Sequence, residues 1–156
     1  MVNFNLYSEL QKAKLKIRRK DGDETIQIIR PFYTDVLEAD RGTTHYTIVR
    51  SGIIVRGAKI YRERGYLGKV QEKLGFSTTF EVYHKAKKVF EIKERETLIK
   101  QHYEITKNGQ HIGSIKPVGV YIPILSSFGK GIEGEYSGIT KEEEEVLLMA
   151  ILALGA

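Results

Sequence analysis

Along most of the chain apolar and polar residues alternate in short runs rich in Ile, Val, Tyr, Thr and Phe, with glycines between the runs. A period of two sends successive side chains to opposite faces of a strand, and β-branched and aromatic residues suit such a half-buried pleat. The pattern predicts strands over 12–20, 25–30, 45–50, 53–62, 66–73, 79–84, 88–94, 101–106, 110–116 and 118–125. KDGDE (20–24) and KNGQ (107–110) hold the Asp-Gly and Asn-Gly pairs that tolerate positive φ in tight turns, so antiparallel hairpins are expected there.

A faint repeat runs through the middle of the chain. IYRERGYLGKV (60–70), VYHKAKKVFEI (82–92) and ITKNGQHIGSI (105–115) align without gaps, matching Ile60, Val82 and Ile105, then Leu67, Val89 and Ile112, then Val70, Ile92 and Ile115. Each copy reads as a strand, a turn and the return strand, giving the serial hairpins of an up-and-down sheet. Gly68 and Gly113 share a position where the other copy has Phe90. Glycine within a strand marks a bend or a close approach of backbone.

The pattern changes after Leu125. SSFGKGIEGEYSG is glycine-rich and reads as a loop with room for a short strand. In ITKEEEEVLLMAILALGA, Thr140 and Glu143 have the spacing of a capping box, and the acidic run suits the positive end of a helix dipole. From Val146 to Ala156 nothing is polar, so the helix has no wet face. At 1.5 Å per residue these residues span about 16 Å, half of a bilayer's ~30 Å apolar thickness. A polar basic face for lying in a membrane surface is missing too. A flat sheet would cover one side and leave the rest to a second subunit. A closed barrel of about eleven or more strands covers every side, and the ten readable strands with unassigned stretches near 32–38 and 126–138 approach that number.

Serial hairpins with the phrase YEITKNGQHIGSIK, followed by the apolar helix VLLMAILALGA, resemble the tubby C-terminal-like superfamily and within it the LURP-one-related proteins, with phospholipid scramblases as more distant kin. The resemblance runs from Tyr46 to Ala156 and rests on apolar and glycine positions. It implies a mainly β fold: a closed antiparallel barrel of about twelve strands with the hydrophobic C-terminal helix through its centre. For function it implies phosphoinositide or bilayer binding without settling an activity, and no phosphoinositide-contacting residue carries over.

The 156 residues suit one domain, 1–156, and an apolar share of 41% suits a globular one. The formal charge of +5 favours polyanionic partners such as nucleic acid or an anionic membrane surface. With no cysteine, thiolate chemistry and cysteine-held metals are excluded. The start MVNFNLYSELQ lacks a signal-peptide core and no apolar run is long enough to span a bilayer, so a cytoplasmic protein without a transmembrane segment is expected.

Catalytic patterns fail on context. GKGIEG satisfies G-x-G-x-x-G, but no helix follows it and a loop at the barrel rim is the better reading. His45, His84, His102 and His111 lack ligand spacing, and Ser126 and Ser127 lie outside any nucleophile elbow. Glu142 to Glu145 read as capping and solubility. No enzyme chemistry and no cofactor are expected. One feature stands out: Lys12, Lys14, Lys16, Arg18 and Lys20 alternate with Ala13, Leu15 and Ile17, so a strand puts five cations on one outer face. Lys85, Lys87 and Lys88, with Arg62 and Arg64, are candidates to extend it. The leading expectation is a binding module that engages anionic lipid headgroups or other phosphate-bearing ligands. The alternatives are nucleic-acid binding and a structural or partner-binding role.

Overall fold

The computed structural model describes residues 1–8, 12–29, 35–52, 56–75, 77–96, 101–118 and 130–155. Their elements are β1 (Val2–Ser8), β2 (Lys12–Arg19), β3 (Gly22–Ile29), β4 (Val36–Arg41), β5 (Thr44–Ser51), β6 (Gly57–Arg62), β7 (Gly65–Lys73), β8 (Thr79–His84), β9 (Lys87–Glu96), β10 (Gln101–Lys107), β11 (Gln110–Val118), β12 (Lys130–Tyr136) and α1 (Lys141–Gly155). Each strand pairs antiparallel with its neighbour in sequence, and β1 pairs with β12, so the sheet closes as a twelve-stranded up-and-down barrel. Closure leaves no open sheet edge.

Alternation sets the two faces. In β2, Ala13, Leu15 and Ile17 are buried while Lys12, Lys14, Lys16 and Arg18 are exposed. Phe4 and Leu6 of β1, Ile26 and Ile28 of β3, and Ile48 of β5 join the same core. Three of the twelve strands, β1, β4 and β12, have no counterpart among the ten expected from pattern. β1 is short and interleaved with asparagines, β4 (VLEADR) has acids and an alanine, and β12 (KGIEGEY) has two glycines, all poor strand signals. The expected rim loop at GKGIEG is therefore corrected from Lys130 onward. Gly134 lies in β12 because a Cβ there would overlap the carbonyl of Ser114 and the ring of Phe4. The expected strand 53–62 begins at Gly57 among the described residues, 118–125 lies outside them beyond Val118, and Ser126 and Ser127 also lie outside them.

The repeat has a geometric counterpart. The pairing slips between Ile60 and Tyr61, between Val82 and Tyr83, and between Ile105 and Thr106, the same place in each copy. The residues left opposite no partner are Leu67, Val89 and Ile112, the second matched apolar position. Each copy thus carries a β-bulge, which sharpens the twist and helps a sheet curl. The turns match as well: Glu63, Lys85 and Asn108, equivalent residues, all have φ near +50°. After each bulge of the first and last copies a glycine admits neighbouring backbone. A Cβ at Gly68 would overlap the carbonyl oxygen of Tyr83 and come within 3.1 Å of Val146, and one at Gly113 would overlap that of Glu135.

The capping box starts α1 as expected: the Thr140 amide donates to Glu143 Oε1 at 2.9 Å, and the Glu143 amide to Thr140 Oγ1 at 3.2 Å. Val146 to Ala153, more than two turns of consecutive residues, are all buried, so the helix is dry at every azimuth. It packs against β5, β6, β7 and β8, and its Gly155 end lies against Leu6 of β1 and Ile132 of β12. Its buried Leu, Ile, Met and Val side chains each contribute about 1.5–3 kcal/mol relative to exposure. Leu154 departs from the rest at 38% exposure.

Gly68→Ala is expected to destabilise by about 3 kcal/mol because the clash is with rigid backbone, whereas Gly75→Ala, with open space and ordinary φ, stays within about 0.5 kcal/mol. Urea unfolding of both variants measures the contrast; equal midpoints would refute the close approach.

Candidate functional site

The basic row on β2 is the first candidate. Lys12, Lys14, Lys16, Arg18 and Lys20 are all exposed, and none forms an ion pair among the described residues. The contrast is with Arg19, Arg41, Arg56, Arg62, Arg95, Lys88, Lys107 and Lys116, each of which meets a carboxylate. Neutral residues flank the row: Asn5 and Tyr7 of β1 stand opposite Lys16 and Lys14, and Thr25, Gln27 and Ile29 of β3 opposite Lys16, Lys14 and Lys12. At the turn end the field weakens, since Asp23 stands opposite Arg18 and Asp21 follows Lys20. Lys12, Lys14 and Lys16, spaced about 7 Å apart, are therefore the part of the row least offset by neighbouring acids. Two large apolar side chains border it, Tyr7 at 51% and Ile29 at 50% exposure, and the Lys16 ammonium sits 5.9 Å from the Tyr7 ring.

The proposed extensions lie elsewhere. Lys85, Lys87 and Lys88 belong to the β8–β9 hairpin, five to six strands around the barrel from β2, where Lys88 bonds Glu81 and Glu91. Arg62 ends β6 and pairs with Glu145, and Arg64 follows it in the turn. The cations thus form one stripe, with these five on other walls.

The acidic start of α1 does more than cap and solubilise. Consecutive helix positions diverge, and each reaches a different wall. Glu143 pairs with Lys107 of β10. Glu144 meets Arg19 of β2 and Arg41 of β4 and accepts a 2.7 Å hydrogen bond from the Tyr136 hydroxyl of β12. Glu145 accepts from the Tyr46 hydroxyl of β5 at 2.5 Å and from Arg62 of β6 at 2.7 Å. Glu24 of β3 bridges Arg19 and Arg41. Burial, with donation to a carboxylate, pushes the Tyr46 and Tyr136 phenols well above their ordinary range. Burial opposes the charge of Glu24, yet hydrogen bonds from Arg41 and Arg19 outweigh it and hold the carboxyl below its ordinary 4.5. Glu143 is lowered likewise, burial being outweighed by Lys107 and Thr140. Glu143, Glu144 and Glu145 are thus paired, and they anchor the helix.

At the opposite end of α1 a cavity of about 660 Å³ has, among the described residues, buried walls that include Val70, Ile92 and Ile151, and an exposed end at Asp35, Gly52, Arg56 and Leu154. Nothing in the sequence pattern flagged it, because its walls come from strands far apart in the chain. Histidines gather no metal site: His45 bonds Asp40 at 2.7 Å, and no group of three or more His, Asp or Glu converges among the described residues. No helix among the described residues is long and apolar enough to cross a membrane. In comparisons with protein-family models, curated proteins and solved structures, nothing matches this chain.

Glu24 and Glu143 bind fewer protons folded than unfolded at moderately acid pH. Their stabilisation is complete above about pH 4.5 and is lost as pH falls through the lowered folded values. Glu24→Gln is expected to cost about 1 kcal/mol at neutral pH, discounted for the exposed rim, and to flatten the acid limb of stability against pH. Urea midpoints from pH 7 to pH 3 read both; an unchanged acid limb would refute the assignment.

Proposed function

We propose that the protein is a non-enzymatic, tubby-like barrel that binds peripherally to anionic bilayers through its β2 face. The twelve-stranded up-and-down closure and a helix dry on all sides support the kinship, and we infer that α1 fills the barrel as an internal plug. The observation that carries the lipid reading is the row of Lys12, Lys14 and Lys16, without an ion pair among the described residues and bordered by exposed Tyr7 and Ile29. Cations near an anionic surface contribute about 1 kcal/mol each, and aromatic and aliphatic side chains beside them suit the headgroup boundary. The cytoplasmic leaflet is the surface of matching charge. Nucleic acid would use the same cations, but Ile29 has no part in a phosphate contact.

Co-sedimentation with vesicles of phosphatidylcholine, with and without phosphatidylserine, tests the reading. At about 0.15 M salt the protein is expected to partition onto anionic vesicles only, and Lys14→Glu/Lys16→Glu to weaken this by about 100-fold. Ile29→Asp is expected to weaken it as well. Partitioning unchanged in the double variant, or tighter binding to duplex DNA than to anionic vesicles, would overturn the proposal.

A further inference from the structure

The cavity at the end of α1 divides by polarity along its depth. Its deep walls are Val70, Phe80, Ile92, Ile115 and Ile151, all buried, so water held there has few polar partners. The shallow end has Asp35, Arg50, Ser51 and Arg56, and the half-exposed Leu154 lines the cavity as well. At about 660 Å³ it is within the range of sites that enclose small organic ligands, typically about 300–1,000 Å³.

The mouth is organised around Arg56. Its guanidinium lies 5.3 Å from the Phe80 ring and donates Nε to Glu72 Oε2 at 2.9 Å, with Nη2 3.4 Å from Oε1. Nη1 has no acceptor among the described residues, so one charged donor remains at the boundary between the wet and dry parts. Among the described residues Asp35 and Glu72 offset Arg50 and Arg56 at the mouth, which disfavours a multiply charged head and suits a single carboxylate. Burying an apolar body contributes about 25 cal/mol per Å² of surface removed from water, and one charge-assisted hydrogen bond fixes its orientation.

We propose that this cavity is a binding site for a single-chain amphiphile with a carboxylate head, of the fatty-acid class, its chain among Ile92, Ile115 and Ile151 and its head at Arg56. The site is separate from the β2 face, with walls on other strands, and stands or falls independently of it.

The fluorescent fatty acid cis-parinaric acid, added below its micellar concentration and without vesicles, is the probe. The full chain is expected to bind it saturably, one molecule per protein. Ala58→Phe, which fills the cavity, and Leu154→Asp, which puts a charge at its half-exposed lip, are each expected to weaken binding about tenfold. Lys14→Glu/Lys16→Glu leaves it unchanged, which separates this site from the membrane face. Near-ultraviolet circular dichroism of the tyrosines establishes that each variant is folded; Leu154→Asp, at a partly exposed position, keeps the test open if Ala58→Phe does not fold. Absence of saturable binding to the wild type, or wild-type affinity in a folded Ala58→Phe or Leu154→Asp variant, would overturn the proposal.

Discussion

A helix with no polar face imposes the architecture. Val146 to Ala153 must be dry at every azimuth, and in water that requires apolar partners all round. On our proposal that α1 plugs the barrel, the inward side chains supply them, and the demand runs both ways. Twelve strands curl around more space than their own side chains fill, so without the helix the interior would be void or wet. Neither part makes sense alone, and the glycines show how closely they meet: at Gly68 even a methyl group would meet both the next strand and Val146.

The polar end of the helix solves a second problem, that of depth and rotation. A smooth apolar helix packed on apolar walls could slide or spin with little penalty. Glu143, Glu144 and Glu145 remove that freedom by gripping residues on β2, β4, β5, β6, β10 and β12. Ion pairs at a partly exposed rim add little stability, but pairs that radiate in different directions specify one position. The buried tyrosine hydroxyls fit the same account, since each would be a costly orphan without its carboxylate.

Much of this was legible in the residues. The alternation of Lys12 to Lys20 fixed both faces of β2, and the matched Leu67, Val89 and Ile112 marked positions that prove to be bulges. The Thr140–Glu143 spacing located the helix start. The strands left unassigned are those whose sequence is governed by neighbours: Gly134 of β12, in a stretch read as a loop with room for a short strand, answers to the Phe4 ring and the Ser114 carbonyl, which local pattern cannot reveal. The same holds for the sites. A stripe within one strand is visible in sequence, whereas Glu144 meeting Arg19, or Ile92 and Ile151 lining one cavity, depends on closure. Exposed Tyr7 and Ile29 lay between; alternation in VNFNLYS and in TIQII assigns both to the outer face once Phe4, Leu6, Ile26 and Ile28 are placed inside.

The pairing of β1 with β12 has a consequence for biogenesis. Synthesis delivers β1 before any other strand of the sheet, and the partner that seals its free side only after all of them, with α1 following. Until β12 is made, one edge of β1 has no partner strand and the inward apolar side chains have no closed barrel to enter. Contacts so distant along the chain form slowly and leave the unsealed chain prone to aggregation. Sealing the barrel therefore waits on the pair of strands most widely separated along the chain.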